Sequence, residues 1–304
     1  WFLCTLYKSH LMKVALYGRA IKYPNFKLFF ERFVAALNAN DISFENTLSY
    51  GQFLKKEYNI SHPTCSNESL VNQQFDCLIS LGGDGTALDT LSLVKDSNLH
   101  VMSINLGRLG FLANIKIDEV DKAIHALKNG LTTIEKRTVI QVDSNVDEIN
   151  EFPYALNDFV IQKRDTSAMI TLKTSLNDSF LNTYWADGLI VATPTGSSGY
   201  SLSCGGPFIF PGSNSLVITP IAAHNLTVRS VVIPDQSILE IDTSGRGKNV
   251  LITLDSRSFV VPSNTKITLK RASFEFSMIQ LQGVSYMDTI RNKLLWGADR
   301  RDEL

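Results

Sequence analysis

Residues 77–94 read Cys77-Leu78-Ile79-Ser80-Leu81-Gly82-Gly83-Asp84-Gly85-Thr86-Ala87-Leu88-Asp89-Thr90-Leu91-Ser92-Leu93-Val94. Cys77–Leu81 is a short, largely apolar run stopped by glycine, the pattern of a buried strand, and Ala87–Val94 continues with helical spacing. Glycines at the carboxyl end of a parallel strand let backbone N–H groups come close to a phosphate. The N-terminus of the following helix adds a favourable partial charge. The aspartate inside the turn is the odd member. A carboxylate repels phosphate unless it binds a metal or takes a proton from a hydroxyl that is being phosphorylated. No Gly-Lys-Ser/Thr follows, so this is not a Walker A loop, and the G-x-G-x-x-G spacing of dinucleotide folds is missing. The plainer alternative is a tight turn whose aspartate caps the next helix.

Strand and helix patterns alternate on both sides of this stretch. Lys13–Tyr17 reads as a strand ending at Gly18. A helix after Pro24-Asn25 carries Phe26, Phe29, Phe30, Phe33, Val34 and Leu37 at helical spacing, a stripe expected to face a core rather than a ligand. Residues 60–74 are polar and read as a loop. Val101–Ile104 is a further strand, running into Asn105-Leu106-Gly107-Arg108-Leu109-Gly110-Phe111. Asp118 is expected to cap a helix with Val120, Ile124 and Leu127 on one face, closed by Asn129-Gly130. The repetition predicts an α/β domain built on a parallel, Rossmann-like sheet.

Beyond Leu131 the period becomes two. Ile170–Lys173 reaches a turn at Asn177-Asp178, Ile238–Ile241 and Val250–Leu254 flank Gly245-Arg246-Gly247, and Lys266–Leu269 alternates again. An antiparallel, β-rich, sandwich-like domain is predicted there. A last helix with Met287, Ile290, Leu294 and Leu295 is expected to pack back on the first domain. The expected division is 12–132 plus 285–304 for the α/β domain and 133–284 for the β-rich one. Residues 1–11 read as an extension outside the fold, because Met12-Lys13-Val14 looks like a natural start. The final Arg-Asp-Glu-Leu is read as a coincidental match to a retention signal.

The chain has 304 residues, 44% apolar and 19% charged, with 29 basic against 30 acidic side chains. Two domains with sizeable cores are expected from that length, and global disorder is excluded. A net charge of −1 lacks the dense basic face that captures nucleic acid. Four scattered cysteines (Cys4, Cys65, Cys77, Cys204) make neither a disulfide scaffold nor a C-x-x-C site, which predicts a reducing compartment and ordinary buried thiols. No apolar run reaches membrane-spanning length.

A second group of functional side chains lies in the β-rich half. Asp187-Gly188 and the apolar Leu189–Ala192 lead into Thr193-Pro194-Thr195-Gly196-Ser197-Ser198-Gly199-Tyr200, with Ser203 beyond. Hydroxyls and glycines in one turn donate hydrogen bonds without charge, which suits a ribose or phosphate, and Tyr200 offers a flat face to a base. A simple Pro-Gly loop is the alternative. Asn157-Asp158 could read a base edge and a ribose diol, or merely turn into the next strand. His224 reads as structural and Lys163-Arg164-Asp165 as a solvated charge cluster. No histidine-rich cluster suggests a transition-metal site, and no G-x-S-x-G elbow is present.

In order, Gly82–Thr86, Asn105–Phe111, Asn157-Asp158, Ala186-Asp187-Gly188 through Tyr200-Ser201-Leu202-Ser203, Gly205-Gly206-Pro207, Ile218–Pro234 and Ser285–Trp296 resemble the NAD kinase family, compact bacterial type. The resemblance spans about Met12 to Trp296. The first motif is shared with diacylglycerol and sphingosine kinases, whereas the run Asp187–Tyr200 is far more specific. The resemblance implies ATP-dependent phosphorylation of the adenosine 2′-hydroxyl of NAD, with Mg²⁺ or Mn²⁺ accompanying the donor and no metal ligated confidently by side chains. It makes Asp84 the general base and Gly82, Gly83, Gly85 and Thr86 the phosphate turn. NAD would meet Gly85, Phe111, Asn157, Asp158, Asp187, Thr195, Ser198, Tyr200, Ser203 and, as a weaker candidate, Asp255. A homotetramer or homodimer is implied, with Asp187 often acting across a subunit boundary, and neither nucleic acid nor membrane as partner. Ala186 and Gly199 depart from the commoner Gly or Ser and Ala. Both are small, and Gly199 adds freedom to the loop. A non-catalytic NAD or NADP sensor and a lipid kinase sharing only the first motif are the other readings. With no surplus of positive charge, phosphates would be held by backbone N–H groups, hydroxyls and a metal ion.

Overall fold

The computed structural model describes residues 11–72, 74–108, 110–164, 169–245, 248–283 and 286–294. The expected extension (apart from Leu11), the turn at Arg246-Gly247 and Leu295 lie outside them. The chain divides into two compact units, Trp1–Glu135 with Met278–Leu304, and Lys136–Ser277.

The first unit begins with β1 (Lys13–Tyr17), α1 (Phe26–Ala39), β2 (Ser43–Thr47), α2 (Leu48–Tyr58), β3 (Thr64–Cys65) and α3 (Asn67–Val71). It continues with β4 (Cys77–Gly82), α4 (Asp84–Val94), β5 (His100–Asn105), β6 (Ile115–Lys116), α5 (Val120–Lys128) and β7 (Thr132–Arg137). The second contains β8 (Ile140–Ser144), α6 (Asp147–Asn150), β9 (Tyr154–Ala155), β10 (Asp158–Lys163), β11 (Ile170–Leu176), β12 (Ser179–Ala186) and β13 (Gly188–Ala192). After α7 (Tyr200–Ser203) come β14 (Ser215–Ile221), β15 (Val231–Pro234), β16 (Leu239–Gly245), β17 (Asn249–Leu254), β18 (Arg257–Pro262) and β19 (Lys266–Arg271). The chain closes with β20 (Phe276–Leu281) and α8 (Tyr286–Leu294), which belongs to the first unit.

The sheet of the first unit has the order β3-β2-β1-β4-β5-β20-β7, with β6 beside β5. The pairs β1–β2, β1–β4 and β4–β5 are parallel. From β1 the chain moves outward to β2 and β3, then returns to add β4 and β5 on the other side. The order therefore reverses between β1 and β4, and in open α/β sheets ligands bind beyond the carboxyl ends of strands at such a point. Tyr17 pairs with Ser80 and Gly82 with Asn105, so the ends of β1, β4 and β5 run side by side.

The aromatic stripe of α1 is core. Phe26, Phe29, Phe30, Phe33 and Leu37 are buried, and Phe29 and Phe33 stack with centroids 5.9 Å apart. Two local expectations fail. Residues 60–74 contain β3, which exists by pairing with β2, and α3, capped by Ser66 Oγ accepting the Ser69 amide at 3.3 Å. Asp118 does not cap α5. Ile117–Glu119 form a 3₁₀ turn, and the longer Glu119 side chain reaches back to the Lys116 amide at 3.1 Å.

The second unit has two six-stranded sheets, β15-β14-β13-β10-β17-β18 and β12-β11-β16-β19-β8-β9, with antiparallel pairing. Phe159, Leu189 and Ile252 from one and Leu172, Ile241 and Leu269 from the other share one buried core, as alternating patterns require. β16 and β17, which flank the Gly245-Arg246-Gly247 stretch, belong to different sheets and do not pair with each other.

Phe33→Ala should destabilise the first unit by about 3–5 kcal/mol, the usual cost of emptying a buried aromatic site. Denaturant unfolding measures that loss. Nucleotide affinity of the folded variant should stay unchanged; a loss of affinity with intact stability would make the stripe a ligand surface.

Candidate active site

Asp84 is the first residue of α4, with Gly83 as extended N-cap. Its side chain does not cap its own helix. Oδ2 accepts the Phe111 amide at 2.8 Å, and Oδ1 accepts those of Leu112 and Ala113 at 3.0 and 2.9 Å. The alternative of a simple capping aspartate is therefore not what the structure contains. The loop after β5 is shaped to meet this carboxylate. Buried Asn105 donates to the Arg108 and Ala113 carbonyls at 2.7 and 2.9 Å and accepts the Gly107 amide at 2.7 Å. Gly110 has no room for a side chain, since a Cβ there would stand 1.7 Å from Asp84 Oδ1. Phe111 is half-buried, with Lys293 Nζ 5.5 Å above its ring.

Gly82 is buried at the end of β4, while Gly83 and Gly85 are partly exposed around the turn and Thr86 is buried inside it. Sequence reasoning missed two neighbours of this turn. Arg19, immediately after β1 and Gly18, forks onto Asp89 of α4 through Nε (2.5 Å) and Nη2 (2.7 Å). The signal was available: Gly18-Arg19 also ends a parallel strand. Of the two nearby carboxylates, Asp84 accepts from three amides and Asp89 from Arg19. Among the described residues no group of three His, Cys, Asp or Glu side chains could hold a metal ion.

In the second unit, Asn157 and Asp158 enter β10. Asp255, between β17 and β18 at φ 52°, turns its carboxylate back onto them. It accepts the Leu156, Asn157 and Asp158 amides at 2.8, 2.7 and 3.2 Å. Asp255 thus positions the Asn157-Asp158 pair. Burial pushes its own carboxyl up, against the pull of these amides and of Arg257. Asp158 is 7% exposed. Burial, with the neighbouring Asp255 charge adding to it, pushes its carboxyl up to about 7. The Asn157 side-chain carbonyl oxygen is buried and accepts no hydrogen bond among the described residues.

The hydroxyl-rich loop divides into inward and outward groups. Thr193 donates to the Leu156 carbonyl at 2.6 Å, and Ser197 exchanges hydrogen bonds with Ile209 (2.9 and 3.1 Å), both side chains being fully buried. These two hydroxyls fold the loop and are not among those it can offer to a ligand. Thr195 is buried and accepts from Arg137 Nη1 at 3.2 Å, a buried arginine the sequence reading passed over. Ser198 donates to the Thr195 carbonyl at 3.1 Å, while Tyr200 and Ser203 are exposed. Gly196 is required by close approach, since a Cβ would lie 2.0 Å from the Asn157 carbonyl oxygen. Asp187 is half-buried and ion-paired to Lys163 at 2.6 Å, so Lys163 is not part of a merely solvated cluster; Asp165 lies outside the described residues. His224 is exposed beside Trp185.

Residues 18–132 match the ATP-NAD kinase N-terminal domain model and residues 156–281 the ATP-NAD kinase C-terminal domain model. The chain belongs to the NAD kinase family. It is 40% identical to the NAD kinase of Flavobacterium psychrophilum over 295 residues, covering 96% of this chain and all of that one. The NAD kinase of Porphyromonas gingivalis is 41% identical over 246 residues, 81% and 85% of the two chains. The fold matches yeast NADH kinase complexed with NADH at a TM-score of 0.83, 21% identity and 95% and 89% coverage. It also matches an Archaeoglobus fulgidus NAD kinase in complex with ATP at 0.71, 22% identity and 93% and 97% coverage. The lipid-kinase alternative ends here, because the second matched model spans the whole hydroxyl-rich region.

Asp158 makes the stability of this NAD kinase family member pH-dependent. Its carboxyl is held above the unfolded value near 4, so the folded state binds the extra proton between about pH 4 and 7. That contribution is complete at low pH and is lost as pH rises through about 7. Asp158→Asn, which keeps the shape without the charge, should therefore be about 1–3 kcal/mol more stable than the parent at pH 8 and match it near pH 4. Thermal melts at the two pH values measure this; a gap independent of pH would remove Asp158 as the source.

Proposed function

We propose that this chain transfers the terminal phosphoryl group of ATP to the 2′-hydroxyl of the NAD adenosine, with Asp84 as proton acceptor. The observation that carries the reading is the occupancy of the Asp84 carboxylate. A carboxylate offers about four acceptor directions, and three are filled by loop amides. Both on Oδ1 are taken, so the remaining one lies on Oδ2. In the proposed step the 2′-hydroxyl gives its proton to Oδ2 as its oxygen bonds to the terminal phosphorus. The bond from that phosphorus to the bridging oxygen breaks, and ADP leaves with the electron pair. Such a transfer asks for alignment and charge neutralisation more than covalent chemistry. ATP enters as its Mg²⁺ or Mn²⁺ complex, the ion carried on the phosphates and offsetting their charge.

Asn157 and Asp158 are proposed to bind the adenosine. The unpartnered Asn157 carbonyl suits a donor such as an exocyclic amine, and a carboxyl near its midpoint at neutral pH can donate as well as accept. Phe111, Gly85, Thr195, Ser198, Tyr200 and Ser203 are assigned to the NAD site, and Asp187 to the far half of the dinucleotide. Asp255 acts through the backbone it holds. A homodimer or homotetramer is proposed, supported by the edge strand β12, where Phe180 and Trp185 are 64% and 57% exposed. A cytoplasmic setting is supported by the free cysteines Cys65, Cys77 and Cys204. No helix among the described residues is long and apolar enough to cross a membrane.

Asp84→Asn should lower NADP formation from NAD and MgATP by at least about a hundredfold, the loss expected for a general base. A coupled dehydrogenase assay reads it, and near-parental turnover would remove Asp84 from the mechanism. No product from the parent chain with ATP or polyphosphate would favour the non-catalytic sensor instead. If Asp187 completes a neighbouring chain's site, mixed oligomers of Asp84→Asn and Asp187→Asn chains should regain activity that neither has alone. No recovery in assembled hybrids would end the shared-site reading.

A further inference from the structure

Arg19 stands at the point where the strand order reverses, one residue past Gly18 at the carboxyl end of β1. Asp89, on the second turn of α4, takes its Nε and Nη2, and the Tyr17 hydroxyl donates to the same carboxylate at 3.1 Å. A two-pronged hold of this kind fixes the plane of the guanidinium. Nη1, the nitrogen left over, has no hydrogen-bond partner among the described residues. It lies 2.8 Å from where a Cβ on Gly85 would be, directly against the phosphate turn. The side chain is 34% exposed, so Nη1 can meet a ligand without moving a core.

We propose that Arg19 is a catalytic residue that binds phosphate oxygens at the Gly82–Thr86 turn through Nη1, with Asp89 and Tyr17 as positioning residues. This rests on the phosphoryl-transfer reading above. Backbone amides and a helix N-terminus supply only partial charges, while Asp84 brings a full negative one to the same turn. A cation is the missing complement for a transition state whose charge spreads over the equatorial oxygens. The carboxylate of Asp89 keeps it from adding net charge, and holds Nη1 beside the turn rather than leaving the guanidinium on a flexible stem. Gly85 is part of the same device, because its missing Cβ is what lets Nη1 approach. The chemistry recognised is a phosphate chain, either the terminal phosphates of ATP or the pyrophosphate of NAD.

Kinetics on the full chain test this with Arg19→Met, Arg19→Lys and Arg19→Met/Asp89→Leu. Arg19→Met should lose about 10²–10³-fold in kcat/KM. A change in the ATP constant assigns the contact to the donor, and a change in the NAD constant assigns it to the acceptor. Arg19→Lys should recover only part, since an ammonium cannot hold the Asp89 fork and still reach the turn. The double variant leaves no stranded carboxylate, so its melting temperature should return while its rate does not. Parental kcat/KM for both substrates in the double variant would overturn the proposal and leave Arg19 as an ion-pair partner of α4. Calorimetric binding of a non-hydrolysable ATP analogue and of NAD separates this from the fate of the wider reading. A parent chain that makes no NADP, yet loses at least tenfold affinity for either ligand on Arg19→Met, keeps the phosphate contact. Unchanged affinity for both removes it.

Discussion

The anchoring of Asp84 by three successive amides, Phe111 to Ala113, is the interaction on which the first unit's chemistry depends. It joins the start of α4 to the loop after β5, two segments that share only the adjacency of β4 and β5. Hydrogen bonds to a charged group are worth about 1.5–3 kcal/mol each, and losing the acceptor would leave several amides unsatisfied together. That cost keeps the carboxylate in one rotamer, which suits its proposed role as proton acceptor better than mobility would. Asn105 and Gly110 follow from the same constraint: one folds the loop back, and the other leaves room for the oxygen it must touch.

The second unit repeats the device with a different outcome. Asp255 also grips three consecutive amides, Leu156 to Asp158, and its backbone is strained to φ 52° to do so. Asp255 lies in the connection of a β-hairpin, so its carboxylate acts as a brace for the turn entering β10. The neighbouring Asp158 bears the consequence: a second carboxylate close to the first, out of water, resists ionisation. One clamp holds a loop around the oxygen proposed to take the proton; the other holds the pair proposed to meet the adenosine and raises the Asp158 carboxyl.

The elements were legible wherever the signal is periodic. The α1 stripe, the buried run of β4 and the alternation of β11 and β19 each write their burial into spacing. The motif residues were legible as well, because glycines, hydroxyls and an out-of-place aspartate are unusual in series. Their partners were not. Asp255 meets residues 97 to 99 positions away, Arg19 meets Asp89 across 70, and Arg137 meets Thr195 across 58. A tertiary hydrogen bond leaves no local pattern. The same limit explains Thr193 and Ser197, whose hydroxyls look available in sequence and are spent on the backbone carbonyls of Leu156, Pro194 and Ile209. Where a side chain competes for a backbone group, only the fold decides the winner.

Charge balance gains a more specific meaning from these contacts. A chain with 29 basic and 30 acidic residues suggests phosphate handling by backbone N–H groups, hydroxyls and a metal ion. The hydroxyls prove fewer than they seemed, yet a guanidinium is present at the turn, neutralised by its own aspartate. Net charge counts that pair as zero; geometry does not, because both prongs of the fork are occupied and one nitrogen points away from the acid. Asp187 is similarly tied to Lys163, leaving a dipole where composition shows nothing. A protein that binds polyanions need not be basic when its cations are bought locally and oriented. The field then acts at the turn and fades outside it, as selectivity for one bound nucleotide over bulk anions requires.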